Sequence, residues 1–253
     1  MEIKVIVAAH KEYPMPQDPM YLPLQVGAAG KESIGWQRDD AGEQISEKNP
    51  TYCELTGLYW AWKNLDCTHL GIVHYRRHFK GSAAPFGVLS QKEAERLLQK
   101  ADCIVPVRQR YFIETIYSHY QHTHYEQDLI KTRRILEKRF PEYLEAFDHH
   151  MQERSGHMFN MFVMKKELAD EWCKFIFSVL SDLEQETDLS GYDEYQARVF
   201  GRISEILLDV WLQHRRISCI EADMVYTEKI NWLKKGSAFL KAKFFHKRYK
   251  GSF

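Results

Sequence analysis

In "HLGIVHYRRHF" a short apolar run ends in His74 and Tyr75, and Arg76 and Arg77 follow at once. The run "IKVIVAAH" closes in the same way with His10 and Lys11, and "DCIVPV" leads into Arg108 and Arg110. If these runs are strands of one parallel sheet, their carboxyl ends lie side by side, where open α/β sheets bind ligands. Guanidinium forks are permanently charged and match phosphate oxygens, so three cationic strand ends point to a diphosphate. Two blander roles stay open at this point: Arg76 and Arg77 in ordinary surface ion pairs, and His74 as a hydrogen-bonded core residue.

A second set lies on a predicted helix near residue 200. Arg198, Arg202 and Glu205 recur at spacings of four and three and share one face. Turned to solvent they form a local ion pair; turned into a cleft, Glu205 suits general-base work on an attacking hydroxyl. Asn160 falls within the apolar run "HMFNMFVMKK", where a buried amide must find partners in a ligand or in the core. In "SHYQHTHYEQD", His119, His122 and His124 look superficially like metal ligands but lack the spacing of a known metal motif. His124 and Asp128, four apart, face either a cleft or solvent at a helix start.

Elements able to position these residues are legible in outline. Residues 3–10, 69–75, 102–107 and 157–166 read as strands, with a last short strand in "ISCIEADM". Helices are expected over 49–65, 90–101, 167–184 and 197–215, and Ser90 with Glu93 makes a capping box for the second. Strands alternating with helices give an α/β fold with a mostly parallel central sheet. The forty residues after the first strand hold Pro14, Pro16, Pro19, Pro23 and several glycines, and read as a long functional loop with little regular structure.

The chain has 253 residues, with 35 Lys+Arg against 35 Asp+Glu, so no global field marks a nucleic-acid binder. Five scattered cysteines without paired spacing read as free thiols in a reducing compartment. With no signal-peptide pattern and no apolar run of spanning length, the expected location is cytoplasmic. One domain is expected over residues 1–226, followed by a basic aromatic extension over 227–253. From Lys229 onward there are eight Lys/Arg and no acid, interleaved with Trp232, Phe239, Phe244 and Phe245. Cations around an aromatic stripe suit an interfacial helix on an anionic membrane surface, ahead of docking on the core.

The blocks "KVIVAAHKEY", "LPLQVGAAGK", "ISEKNPTYCELTGLYWAWKN", "LGIVHYRRHF", "FNMFVMKK" and "RVFGRISEILLDVWL", in this order, resemble a bacterial family first labelled a domain of unknown function. Its members occur in capsular, exopolysaccharide and O-antigen (lipopolysaccharide) biosynthesis, and the likeness runs from about residue 3 to about residue 225. The resemblance implies a glycosyltransferase with an A-type, Rossmann-like fold. Some members are assigned as transferring galactofuranose from a UDP donor. It further implies a polyprenyl-diphosphate-linked saccharide acceptor and a peripheral position on the inner face of the membrane. By the same likeness Glu205 is the base of an inverting displacement, with Glu54 and Asp193 as substitutes. His10, Lys11, His74, Tyr75, Arg76 and Arg77 would hold the donor, and His124, Asp128, Asn160, Arg198 and Arg202 the acceptor. The Asp-x-Asp motif that such enzymes use to hold a divalent metal is missing where "HYRR" stands, so no cofactor is required by the sequence. Dependence on Mg²⁺ or Mn²⁺ is left open, with Asp39 and Asp40 as the candidate metal pair. A noncatalytic sugar or lipid binder in the same assembly systems is the rival reading, and a hydrolase built on the histidine cluster a third.

Overall fold

A computed structural model describes residues 1–228 and 243. Its strands are β1 (Ile3–Ala9), β2 (Tyr21–Gln25), β3 (Gln37–Arg38), β4 (His69–His74), β5 (Arg77–Ala83), β6 (Cys103–Pro106), β7 (Gln109–Arg110), β8 (Ser155–Gly156), β9 (Phe162–Lys165), β10 (Cys219–Ala222) and β11 (Met224–Tyr226). Its helices are α1 (Asn49–Tyr52), α2 (Leu55–Asn64), α3 (Gln91–Leu98), α4 (Ile116–Thr123), α5 (Glu126–Arg139), α6 (Leu144–Gln152), α7 (Lys166–Glu186) and α8 (Val199–His214). The main sheet runs β10-β6-β9-β4-β1-β2-β3. Pairing along it is parallel except at β9, which lies antiparallel between β4 and β6.

Strand β1 is apolar almost throughout because both of its faces are covered. Ile6 and Ala8 pack into one cluster with residues of α2, α7 and α8, and Val5, Val7 and Ala9 into another with Ala94 and Leu98 of α3. A strand buried on both sides reads as a continuous run rather than an alternation, which is why it is so legible. Gly71 in β4 lets the sheet close up: a Cβ there would stand 2.9 Å from the Phe162 carbonyl oxygen and from Val163. The capping box at Ser90 forms as its spacing predicts, with the Glu93 carboxylate accepting from the Ser90 backbone N–H at 2.8 Å.

Several expectations need correction. The predicted long loop contains β2, paired along its whole length with β1, and the short β3 beyond it. Pro23 is tolerated because β3 pairs only with Leu24 and Gln25, leaving the outer edge of β2 open at the proline. The helix expected over 49–65 is broken at Cys53, whose backbone takes the left-handed φ of 55° and separates α1 from α2. Arg76 and Arg77 do not hang from a strand end: the chain turns at Tyr75–Arg76, and Arg77 opens β5 as an antiparallel partner of β4. Asn160 is not inside a strand either. It precedes β9 in a turn where Phe159 and Asn160 have φ of 78° and 51°.

The pair Asp39 and Asp40 is not a flexible metal ligand set. Asp39 is fully buried and accepts hydrogen bonds from the backbone N–H groups of Gly27 (2.9 Å) and Ala28 (3.0 Å) and the hydroxyls of Ser46 (2.5 Å) and Thr56 (2.7 Å). Four donors use up the lone pairs that a cation would need. Asp40 is bonded to Arg38 at 2.6 Å, which holds its carboxyl below the usual range. Among the described residues no group of three His, Cys, Asp or Glu is placed to hold a metal ion. The proposed membrane-binding tail lies, apart from Thr227, Glu228 and Lys243, outside the described residues.

Candidate active site

A cavity of about 700 Å³ opens where β4 turns into β5, walled by α4, by the amino-terminal half of α8 and by the segment that follows β6. The break at Cys53 delivers Glu54 to this space from the start of α2, and α8 delivers Glu205 from the opposite wall. Burial first, and the neighbouring Glu54 second, push the Glu205 carboxyl up to about 7, against the opposing pull of Arg77 and Arg202. A carboxyl poised there exchanges protons near neutrality, as a general base must.

Glu54 is held from behind. Asn160 Nδ2 donates to Glu54 Oε1 at 2.7 Å and to the Gly201 carbonyl at 3.0 Å, and the left-handed turn at Asn160 aims the amide this way. Gly201 keeps α8 close: a Cβ there would meet Cys53 at 3.3 Å. His74 Nε2 donates to the Phe159 carbonyl at 2.7 Å and stands 3.7 Å from Glu54, with its pKa lowered mainly by burial. A neutral His74 therefore fixes the same turn that positions Asn160.

The cations are placed by stacking. Arg77 lies over the Phe159 ring at 4.4 Å, and burial, then Arg76, lowers its pKa. Arg202 lies 5.3 Å over Tyr195 and donates to the Tyr195 carbonyl at 2.7 Å, while Arg198 Nε donates to Cys53 Sγ at 3.1 Å. Planar guanidinium groups held on aromatic faces are pre-aligned for an anionic ligand.

Of the residues singled out from sequence, Glu205, Glu54, His74, Arg76, Arg77, His124, Arg198 and Arg202 line this one cavity. His10, Lys11 and Tyr75 do not. They form a ridge beside it, with His10 edge-on to the Tyr75 ring at 5.3 Å and Lys11 and Arg76 each 5.4 Å from that ring. Asn160 is a support behind the wall. Asp128 is fully buried and accepts from Tyr120 (3.2 Å) and Tyr192 (2.7 Å), so it braces the wall instead of facing a ligand. Asp193 is exposed and its carboxylate accepts the Gln196 backbone N–H at 2.7 Å, a turn-forming role away from the cavity. His124 bonds Gln196 at 2.9 Å, and His122 and His119 both face Glu114, at 2.8 and 3.5 Å. The histidine cluster is thus divided between two sets of partners. Residues not foreseen include Tyr111, Phe112, Tyr120, Met158, Phe159 and Tyr195. The signal for Tyr111, Phe112 and Tyr120 was the aromatic density of "RYFIETIYSHY"; Met158, Phe159 and Tyr195 left none.

An open, mostly parallel sheet with a cationic cavity beyond its strand ends defines an α/β protein with a candidate ligand site there. The family described as "Domain of unknown function (DUF4422)" matches residues 4–216, and the chain belongs to it. No curated protein matches. A solved structure of the WbbM bifunctional glycosyltransferase in its apo form is similar, with a TM-score of 0.84 and 28% sequence identity. The match covers 90% of this chain and 46% of that one, so this chain spans about half the length of that neighbour.

Proposed function

We propose that this chain is a glycosyltransferase that moves a sugar from a UDP-sugar donor, galactofuranose being the first to try, to a hydroxyl of a polyprenyl-diphosphate-linked saccharide. The observation that carries this reading is Glu205, a carboxyl poised at about 7 in a cavity lined by arginines. The likeness to a bifunctional glycosyltransferase over most of this chain supports the same class of chemistry. In the proposed step the acceptor O–H gives its proton to Glu205 as its oxygen bonds to the anomeric carbon. The bond from that carbon to the diphosphate breaks, and its electron pair goes to the departing phosphate oxygen. Arg76 and Arg77 face that developing charge, the part a divalent ion plays where an Asp-x-Asp motif is present. Attack opposite the leaving group inverts the anomeric configuration. Glu54 keeps Glu205 basic, and Arg198, Arg202 and His124 orient the acceptor. The basic extension would hold the enzyme at the membrane surface where such acceptors reside.

The test begins with saturation-transfer NMR against UDP, GDP and CMP, each with EDTA, Mg²⁺ or Mn²⁺, on the native protein and on the Arg76→Ala/Arg77→Ala double variant. UDP binding that survives EDTA and vanishes in the double variant is the expected result. Glu205→Gln should then bind UDP as before but lose transfer by about 100-fold or more. If transfer persists in that variant, the base is misassigned; binding without any turnover in the native protein would favour a noncatalytic sugar binder.

A further inference from the structure

The described residues expose only four large apolar side chains, and apart from Met1 all of them fall in one short segment: Val107, Phe112 and Ile113, at 36%, 76% and 49% exposure. This is the segment that walls one side of the cavity. Phe112 is presented in the left-handed region, at φ 54°, which a bulky side chain rarely adopts. A strained backbone that holds a phenyl ring out in water calls for a partner.

The segment is rigidly built. Strands β7 and β8 pair through Gln109 with Gly156 and Arg110 with Ser155, and the Tyr111 N–H donates to the Arg154 carbonyl at 2.8 Å. Arg108 clamps the base by donating to the Ser155 carbonyl at 2.6 Å and to Glu153 at 2.8 Å. Arg154 donates to the Phe112 carbonyl at 3.3 Å, which fixes the turn that projects the ring.

The charged side chains bonded to the tip of the segment are cationic. Arg110 at the end of β7 and Arg154 just before β8 are exposed, and Lys243 of the basic extension donates to the Ile113 carbonyl at 2.9 Å. Of the described carboxylates beside the segment, Glu114 is buried against His119 and His122 and Glu153 is bonded to Arg108, while Glu221, facing His157, and the exposed Asp223 lie at its Val107 end. A protruding aromatic and aliphatic tip ringed by cations fits the interface of an anionic bilayer, where rings enter at headgroup depth and cations meet phosphates. We infer that the Val107–Ile113 segment docks on an anionic membrane surface and presents the mouth of the cavity to the lipid. The segment is a contact in addition to the carboxyl-terminal extension, whose Lys243 borders it, and it sets the orientation of the cavity.

The test is co-sedimentation of the full chain with vesicles of phosphatidylglycerol and phosphatidylcholine, compared with phosphatidylcholine alone. Neither donor nor acceptor is needed, so the outcome is independent of whether the chain transfers sugar. Binding to the anionic vesicles is expected, weakened by about tenfold or more in Phe112→Ser/Ile113→Ser. The second variant, Arg110→Glu/Arg154→Glu, should lose most of its preference for anionic lipid; both substitute exposed residues, and near-UV circular dichroism checks the fold. No vesicle binding by the native protein, or equal binding by the native chain and both variants, would overturn the assignment. A native dimer that the apolar variant converts to monomer would also overturn it, by making the segment a contact between two copies.

Discussion

Glu205 is protonated through much of the weakly acidic range, because burial and Glu54 hold its carboxyl near 7. In the unfolded chain the same carboxyl ionises near 4.3. Between those values the unfolded state loses its proton first, so stability falls as pH rises through this window and the deficit is complete above it. Glu205→Gln should therefore be more stable than the native protein at pH 8, by about 1–3 kcal/mol after allowance for solvent access, and equal to it at pH 4. Urea melts at the two pH values check this. If Glu205 is the base, transfer should rise with pH through about 7 as it ionises. Glu54→Gln should move that midpoint downward by removing the nearby negative charge, which a pH–rate profile would show. The grouping of Glu205 with Arg202 and Arg198 at the cavity was legible because the first two keep their spacing on α8 and Arg198 directly precedes it. Asp128 misled for the opposite reason: its partners, Tyr120 and Tyr192, come together only in three dimensions.

The stretch between β1 and α1 shows why elements with many prolines are misread. Its regularity comes from pairing with β1 and from one buried carboxylate, neither of which leaves a local periodicity. Asp39 accepts from Gly27, Ala28, Ser46 and Thr56, so it ties the end of β2 to α2. Asp39→Ala should leave those donors without a partner and cost about 2–4 kcal/mol, read as a lower denaturation midpoint. Asp40→Ala, which loses only a partly exposed pair with Arg38, should cost under about 1 kcal/mol. The strands β1, β4 and β6 were legible because they are buried on both faces. β5 was not, since its start is Arg77 and its buried residues, His78 and Phe79, fit neither strand alternation nor a helix.

For the molecule as a whole, the thiols offer a direct check on the architecture. Cys219 on the edge strand is exposed, and a hydrogen bond from Cys103 lowers its pKa, whereas Cys67, Cys103 and Cys173 are buried and burial raises theirs. Cys53 is half-buried and raised to about 11. A colourimetric thiol titration should find one fast group in the native protein, lost in Cys219→Ser, and the others only on unfolding. The position of β9 bears on how the chain is made. β1, β2 and β4 leave the ribosome early and can pair at once, but the strand that covers the other edge of β4 is synthesised only after α6. Until then β6 has no neighbour, and the unpaired N–H and C=O groups along that edge of β4, flanked by apolar side chains, stay open to other chains. A central place in the finished sheet is thus filled late in translation, ahead only of β10 and β11 among the strands, so that what shields β4 in that interval bears on the yield of folded protein.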